Sequence, residues 1–256
     1  MSILVAIILG LVQGLCEFLP ISSSGHLMIA EALLGVTGNN LFFNVLLHLA
    51  SLLSVLIIYR KQIFQILIHP KEKMFWLIVV STLASCAVVV LIKLSVSELF
   101  EITFLGFGFL FSATLILITQ KIVEKQNSKL KVPSFKMATV IGLFQGVSAL
   151  PGISRSASTT CIGQLLGLDR ESALDYSFIL SIPIIIASMV YTFLTPTNTD
   201  LTIGFWPCFI ACVATFISSM AAIVFLKKLA KSKSWLAFSI YLFVLATAIL
   251  IFTFVF

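Results

Sequence analysis

Six apolar stretches, each close to the length of a bilayer-spanning helix, constrain this chain more than any other feature. They cover about residues 41–59, 74–92, 104–120, 173–194, 204–226 and 235–256. A helix needs about 20 apolar residues to cross the hydrocarbon core. Of the 256 residues, 60% are hydrophobic and 10% charged, against about 25% charged in soluble domains. The fold class expected is an all-α polytopic membrane protein, multi-pass in the cell membrane. A disordered chain, a disulfide-stapled secreted miniprotein and an ordinary soluble enzyme are excluded. The N-terminus has no basic n-region and no small-residue cleavage site, so it is read as mature sequence.

The formal net charge of +6 does not indicate nucleic acid, because nearly all the positive residues fall in a few short loops and no basic run alternates with exposed aromatics. Loops 60–73, 121–136, 169–172 and 227–234 hold four, five, one and four Lys or Arg, 14 of the 16 in the chain. Lys93 and Arg155 are the other two. The positive-inside rule places the basic loops in the cytoplasm. The five cysteines all lie in apolar stretches. Cys208 and Cys212 share a helix face but lack the further ligands of a metal site.

Two more apolar stretches are interrupted. Residues 3–19 hold Gln13 and Glu17 and stop at Pro20, before Ser22-Ser23-Ser24-Gly25-His26. Residues 137–150 stop at Pro151-Gly152, before Ser154-Arg155-Ser156. Short apolar pieces follow, at 27–34 and 160–168. Such a pattern predicts re-entrant hairpins, whose irregular tips are tolerated at membrane depth only where protein or a water-filled cavity covers them. The two stretches also match each other. Gly10-Leu11-Val12-Gln13-Gly14 parallels Gly142-Leu143-Phe144-Gln145-Gly146, and each continues to Leu-Pro and Ile-Ser. Three spans follow each hairpin.

The predicted organisation is therefore a duplication. The first repeat is 1–120 with hairpin 1–34, the linker is 121–136, and the second repeat is 137–256 with hairpin 137–168. Three spans is an odd number, so the second repeat is inverted in the bilayer. The two tips are expected to meet near the midplane, an arrangement that transporters also use.

Ionisable groups at membrane depth mark function by default. Glu17, His26 and Arg155 are the three. Arg155 matches a phosphate by its planar fork, and the adjoining serines and helix N-terminus complete an anion cradle. Ser22, Ser23 and Ser24 are candidate nucleophiles, and His26 titrates near neutral pH. Glu17 either orients His26 or holds a divalent cation. His48 and Asn44, early in the first full span, either face the cavity or, as the favoured reading, make helix–helix hydrogen bonds, and Asp175 is read as a cytoplasmic surface group.

The run Gln13-Gly14-Leu15-Cys16-Glu17-Phe18-Leu19-Pro20-Ile21-Ser22-Ser23-Ser24-Gly25-His26 and the run Pro151-Gly152-Ile153-Ser154-Arg155-Ser156 resemble the two motifs of the undecaprenyl-pyrophosphate phosphatases of the bacitracin-resistance family. The resemblance extends essentially end to end. It implies hydrolysis of undecaprenyl pyrophosphate to undecaprenyl phosphate and inorganic phosphate, which recycles the lipid carrier of cell-wall synthesis. It also implies catalytic roles for Glu17, Ser23, His26 and Arg155, and phosphate contacts from Gln13, Ser22, Gly152, Ser154, Arg155, Ser156 and Thr159. A divalent cation, Mg²⁺ or Ca²⁺, is implied too, with Glu17 as its candidate ligand. Gln13 stands where many members carry Glu, which removes one negative charge from such a site. The partners expected are a polyprenyl pyrophosphate and the bilayer, with a second copy of the chain left open. Attack by Ser23, by His26 or by water, and a lipid-phosphate carrier instead of an enzyme, all stay open at this point.

Overall fold

The computed structural model describes residues 1–36, 41–95, 104–124, 130–194, 203–231 and 234–255. Parts of the basic loops 121–136 and 227–234 lie outside them. Eleven helices account for nearly all of the described chain. They are α1 (Ile3–Phe18), α2 (Ser23–Leu33), α3 (Leu41–Ile58), α4 (Arg60–Ile68), α5 (Lys73–Ser95), α6 (Leu105–Val123), α7 (Phe135–Val147), α8 (Arg155–Leu165), α9 (Arg170–Leu194), α10 (Phe205–Ala230) and α11 (Leu236–Val255). Six of these, α3, α5, α6, α9, α10 and α11, are long and apolar enough to cross a membrane. They coincide with the six predicted spans.

Three elements depart from the sequence expectation. The return helices of both hairpins start earlier than their apolar runs, because serines cap them. Ser22 Oγ accepts the Gly25 N–H and Ser154 Oγ accepts the Ala157 N–H. Ser23 and Arg155 are thus first-turn helical residues and not members of an open turn. The stretch 60–68, expected as loop, is the helix α4. Its Ile63 and Ile66 pack against the core, while Phe64, Leu67 and Ile68 are exposed. That amphipathic pattern suits a helix lying along the membrane surface.

The short helices are held by close backbone approach. α1 packs along α10 and α7 along α5. A Cβ on Gly14 would collide with the Thr215 carbonyl, and one on Gly146 with Ser85 and Val88 of α5. Small residues at such crossings substitute for the hydrophobic drive that lipid removes. Thr215 Oγ1 donates to the Gly10 carbonyl at 3.0 Å, and Ser85 Oγ donates to the Gly142 carbonyl at 2.8 Å. The same glycines of the two hairpins are therefore used in the same way.

Beneath the tips lies a core of Phe18, Phe109, Phe178, Tyr59 and Ile116. The end of the bundle that carries the basic loops is tied across. Tyr59 donates to Asp175 Oδ1 at 2.6 Å, and Lys227 pairs with the same carboxylate at 3.0 Å. Leu130 exchanges backbone bonds with Gly167 and Asp169.

Candidate functional site

The two tips sit against one cavity of about 510 Å³, within the usual range for small-ligand sites. Its polar floor includes Glu17, Ser22, Ser23, Ser24, Ser154 and Arg155. Glu17 closes α1 and is buried. Its Oε1 is ion-paired with Arg155 Nη2. Its Oε2 accepts from Ser23 Oγ at 2.6 Å and from Gln13 Nε2 at 2.9 Å, and lies 3.2 Å from His48 Nδ1. A buried charge persists only when it is paired and hydrogen-bonded, and this carboxylate has a partner on each oxygen.

Arg155 is the first residue of α8. One arm of its fork is spent on Glu17. The other nitrogen, Nη1, is buried and has no partner among the described residues. A buried guanidinium nitrogen left unbonded costs energy, and an anion in the cavity would remove that cost. The tip that presents it is fixed by special backbone. Gly152 has φ +80°, and a Cβ there would run into the Leu105 carbonyl, so only glycine fits. Ser112 Oγ of α6 accepts the Ser154 N–H at 2.8 Å.

The first tip carries its own strain. Ser22 has φ +71°, a region that non-glycine residues rarely occupy. His26 braces it. The ring Nδ1–H donates to the Ser22 carbonyl at 2.7 Å, and Nε2 accepts from Tyr241 of α11 at 2.8 Å.

The structure brings only part of the predicted set together. Glu17, Ser22, Ser23, Ser154 and Arg155 meet at the cavity. His26 does not line it, and both its nitrogens are engaged elsewhere, because α2 turns the ring towards Phe109 and Tyr241. Ser156 donates to the Leu19 carbonyl at 2.8 Å and so ties the second tip to the first. Thr159 is bonded to the Arg155 carbonyl and to Ser177 Oγ. Gly152 shapes the turn and Gln13 stands behind Glu17. None of these four faces the cavity.

His48, for which a helix–helix hydrogen bond was expected ahead of a place facing the cavity, has both. It lines the cavity, within 2.9 Å of Gln13 Nε2 as well as beside Glu17. Its pairing with Glu17 was not legible in the sequence, since only α3 packing beside α1 brings the two together. Gln145 also lines the cavity and donates to Ser85 at 3.0 Å. Its place in the repeated motif, matching Gln13, was the available signal.

A divalent cation in the cavity would find one carboxylate, that of Glu17. Gln13 Oε1 is buried without a partner among the described residues, next to the Glu17 carboxylate. No cluster of three or more His, Cys, Asp or Glu groups able to cage a metal occurs among those residues. The donor set fits an ion such as Mg²⁺, which is held by one carboxylate and mainly by substrate phosphate oxygens.

The model of the bacitracin resistance protein BacA family matches residues 6–248. The chain is 35% identical to undecaprenyl-diphosphatase 1 of Shouchella clausii, over 98% of this chain and 97% of that protein. It is 37% identical to an undecaprenyl-diphosphatase of Christiangramia forsetii, over 99% of both. A third, from Carboxydothermus hydrogenoformans, is 34% identical over 96% of this chain and 95% of its own length. With a family match across almost its whole length and relatives this similar from end to end, the chain belongs to the bacitracin resistance protein BacA family.

Proposed function

We propose that this protein is an integral membrane phosphatase that removes the terminal phosphate of undecaprenyl pyrophosphate, leaving undecaprenyl phosphate and inorganic phosphate. The observation that carries the reading is the Arg155–Glu17–Ser23 constellation at the cavity floor: a guanidinium with one buried arm unpaired, beside a hydroxyl bonded to a carboxylate. The names of the relatives supply the substrate, and the apolar walls of Val89, Val90, Ile184, Ile185 and Met189 suit the first isoprene units.

In this reading Arg155 Nη1 and the N-terminus of α8 bind the terminal phosphate and stabilise the charge that develops on it. Ser23 Oγ attacks phosphorus while Glu17 Oε2, 2.6 Å away, takes its proton. The anhydride bond to the lipid phosphate breaks. Water then hydrolyses the phosphoserine and frees inorganic phosphate. A cation held by Glu17 and the phosphate oxygens would neutralise charge on the diphosphate. His26 is a positioning residue that holds the Ser22 carbonyl and hence the α2 tip. His48 orients Glu17.

The proposal includes the duplication and its inversion, supported by the matched glycine contacts of α1 with α10 and α7 with α5. It also includes an opening away from the cytoplasm. The cavity runs to Lys93 and Tyr191, at the ends of α5 and α9 remote from the basic loops, while Asp175, Tyr59 and Lys227 tie the other end. The purified protein should release phosphate from undecaprenyl pyrophosphate in detergent. A lipid carrier with the same architecture would release none, and that result would overturn the reading.

A further inference from the structure

We infer that Lys93 and Tyr191 form an outer capture subsite, which takes the diphosphate head group of the lipid at the mouth of the cavity before it descends to Arg155. The inference rests on the phosphatase reading above and adds to it a second anion contact outside the reacting centre.

Lys93 is a basic residue with an unusual location. Of the other positive residues among those described, Arg155 lies in the cavity floor and the rest belong to the basic stretches at the opposite end of the bundle. Its ammonium lies 3.8 Å from the centroid of the Tyr191 ring, and both side chains line the same cavity as Glu17 and Arg155. On α5 the lining residues Cys86, Val89, Val90 and Lys93 form one strip at helical spacing, and on α9 so do Ile184, Ala187, Ser188 and Tyr191. Seven residues of helix rise put Lys93 about 10 Å up the wall from Cys86, near the end of α5. Between lip and floor the walls are largely apolar. A head group entering along this slot meets one cation at the lip and a second at the floor.

Among the described residues no carboxylate pairs with Lys93, in contrast to Arg155 on Glu17, Lys131 on Asp169 and Lys227 on Asp175. The face of a tyrosine ring fixes an ammonium while leaving N–H donors free for an anion. A compact point charge at a mouth with low-dielectric walls raises the local concentration of a negative ligand and its rate of arrival. The chemistry recognised is a phosphate group, which either the incoming lipid head group or departing inorganic phosphate could supply. The inference assigns it to the former, because the mouth is where the lipid diphosphate must first leave the interface.

The test compares wild type with Lys93→Gln in phosphate release from a prenyl pyrophosphate. At low ionic strength kcat/KM should fall about tenfold with kcat at saturation unchanged, and the gap should close as salt is raised. Lys93→Arg should restore the rate. Tyr191→Phe, which keeps the ring, should behave as wild type. Equal kcat/KM in wild type and Lys93→Gln at low salt would overturn the inference, and would mean that Lys93 only reaches for the interface as lysines near helix ends do. So would a fall confined to kcat. In the second arm inorganic phosphate is the inhibitor. Its inhibition constant should be unchanged in Lys93→Gln, and a shift there without a shift in KM would assign the residue to product exit instead. Equilibrium binding of the same lipid to both proteins reads Lys93 without turnover. If wild type hydrolyses nothing but binds more tightly than Lys93→Gln, the phosphatase reading falls and the capture subsite stands.

Discussion

Arg155 and Glu17 depend on each other, so neither substitution at this pair is conservative. Arg155→Lys keeps the charge but loses the fork that spans Glu17 and a phosphate at once. Activity should drop at least about 100-fold, the usual cost of losing a donor to developing charge. Arg155→Ala should fall further, with protein still present in the membrane. His48 acts one step back, through Glu17 and Gln13. His48→Phe should lower kcat about tenfold or more, and His48→Gln, which keeps a polar group beside Gln13 and the carboxylate, should recover much of it. Gln13→Glu adds the second acid, so the concentration of Mg²⁺ giving half-maximal activity should fall. At Ser22 the backbone decides: with φ +71°, a β-branched Ser22→Val should cost about 1–3 kcal/mol, whereas Ser22→Gly should melt at or above the wild-type temperature in detergent.

Among the helices, α9 shows how an end facing water is secured. Asp169 caps it: Oδ1 accepts the Ser172 N–H at 3.1 Å, Oδ2 accepts the Ser172 hydroxyl at 2.8 Å, and Lys131 lies 3.1 Å from the carboxylate. Burial alone would raise its pKa, but the bonds from Ser172 and the Lys131 ammonium outweigh that and hold the carboxyl below the usual carboxylate range. A depressed carboxylate stabilises the fold above its unfolded pKa of about 3.9 and loses that contribution as pH falls through its lower folded value. Thermal melts should therefore show Asp169→Asn, which keeps the cap but loses the charge, less stable by about 0.3–1 kcal/mol at neutral pH, with the difference vanishing in strong acid. The six spans were legible because length and absence of charge suffice to specify them. The start of α8 was not, because serines favour open turns and helix caps alike, and only the Ser154–Ala157 bond decides between them. α4 was hidden for a similar reason: Arg60, Lys61 and Gln62 read as loop until Ile63 and Ile66 are seen against the core.

Taken across the whole chain, the proposed duplication starts from the matched Gly-x-x-Gln-Gly runs, which say nothing of the partners that each run finds. Residues of α1 find their closest neighbours on α10, about 200 positions away, and those of α7 on α5. Sequence spacing carries no trace of such contacts, and for the same reason it paired Glu17 with His26 and left His48 at the cavity as the lesser of two readings. Those contacts also make the two hairpins interdependent. Adding a side chain at Gly14 forces α1 off the Thr215 carbonyl and moves Glu17 three residues on. Adding one at Gly146 pushes α7 off Ser85 and Val88 and moves the turn that presents Arg155. Overpacking of this kind typically costs about 1–3 kcal/mol. Gly14→Val and Gly146→Val should each lower Tm in detergent by comparable amounts, and each should depress phosphate release more than its loss of folded protein explains. If the halves were not equivalent, one substitution would be tolerated while the other was not, and the matched glycine contacts would be coincidence.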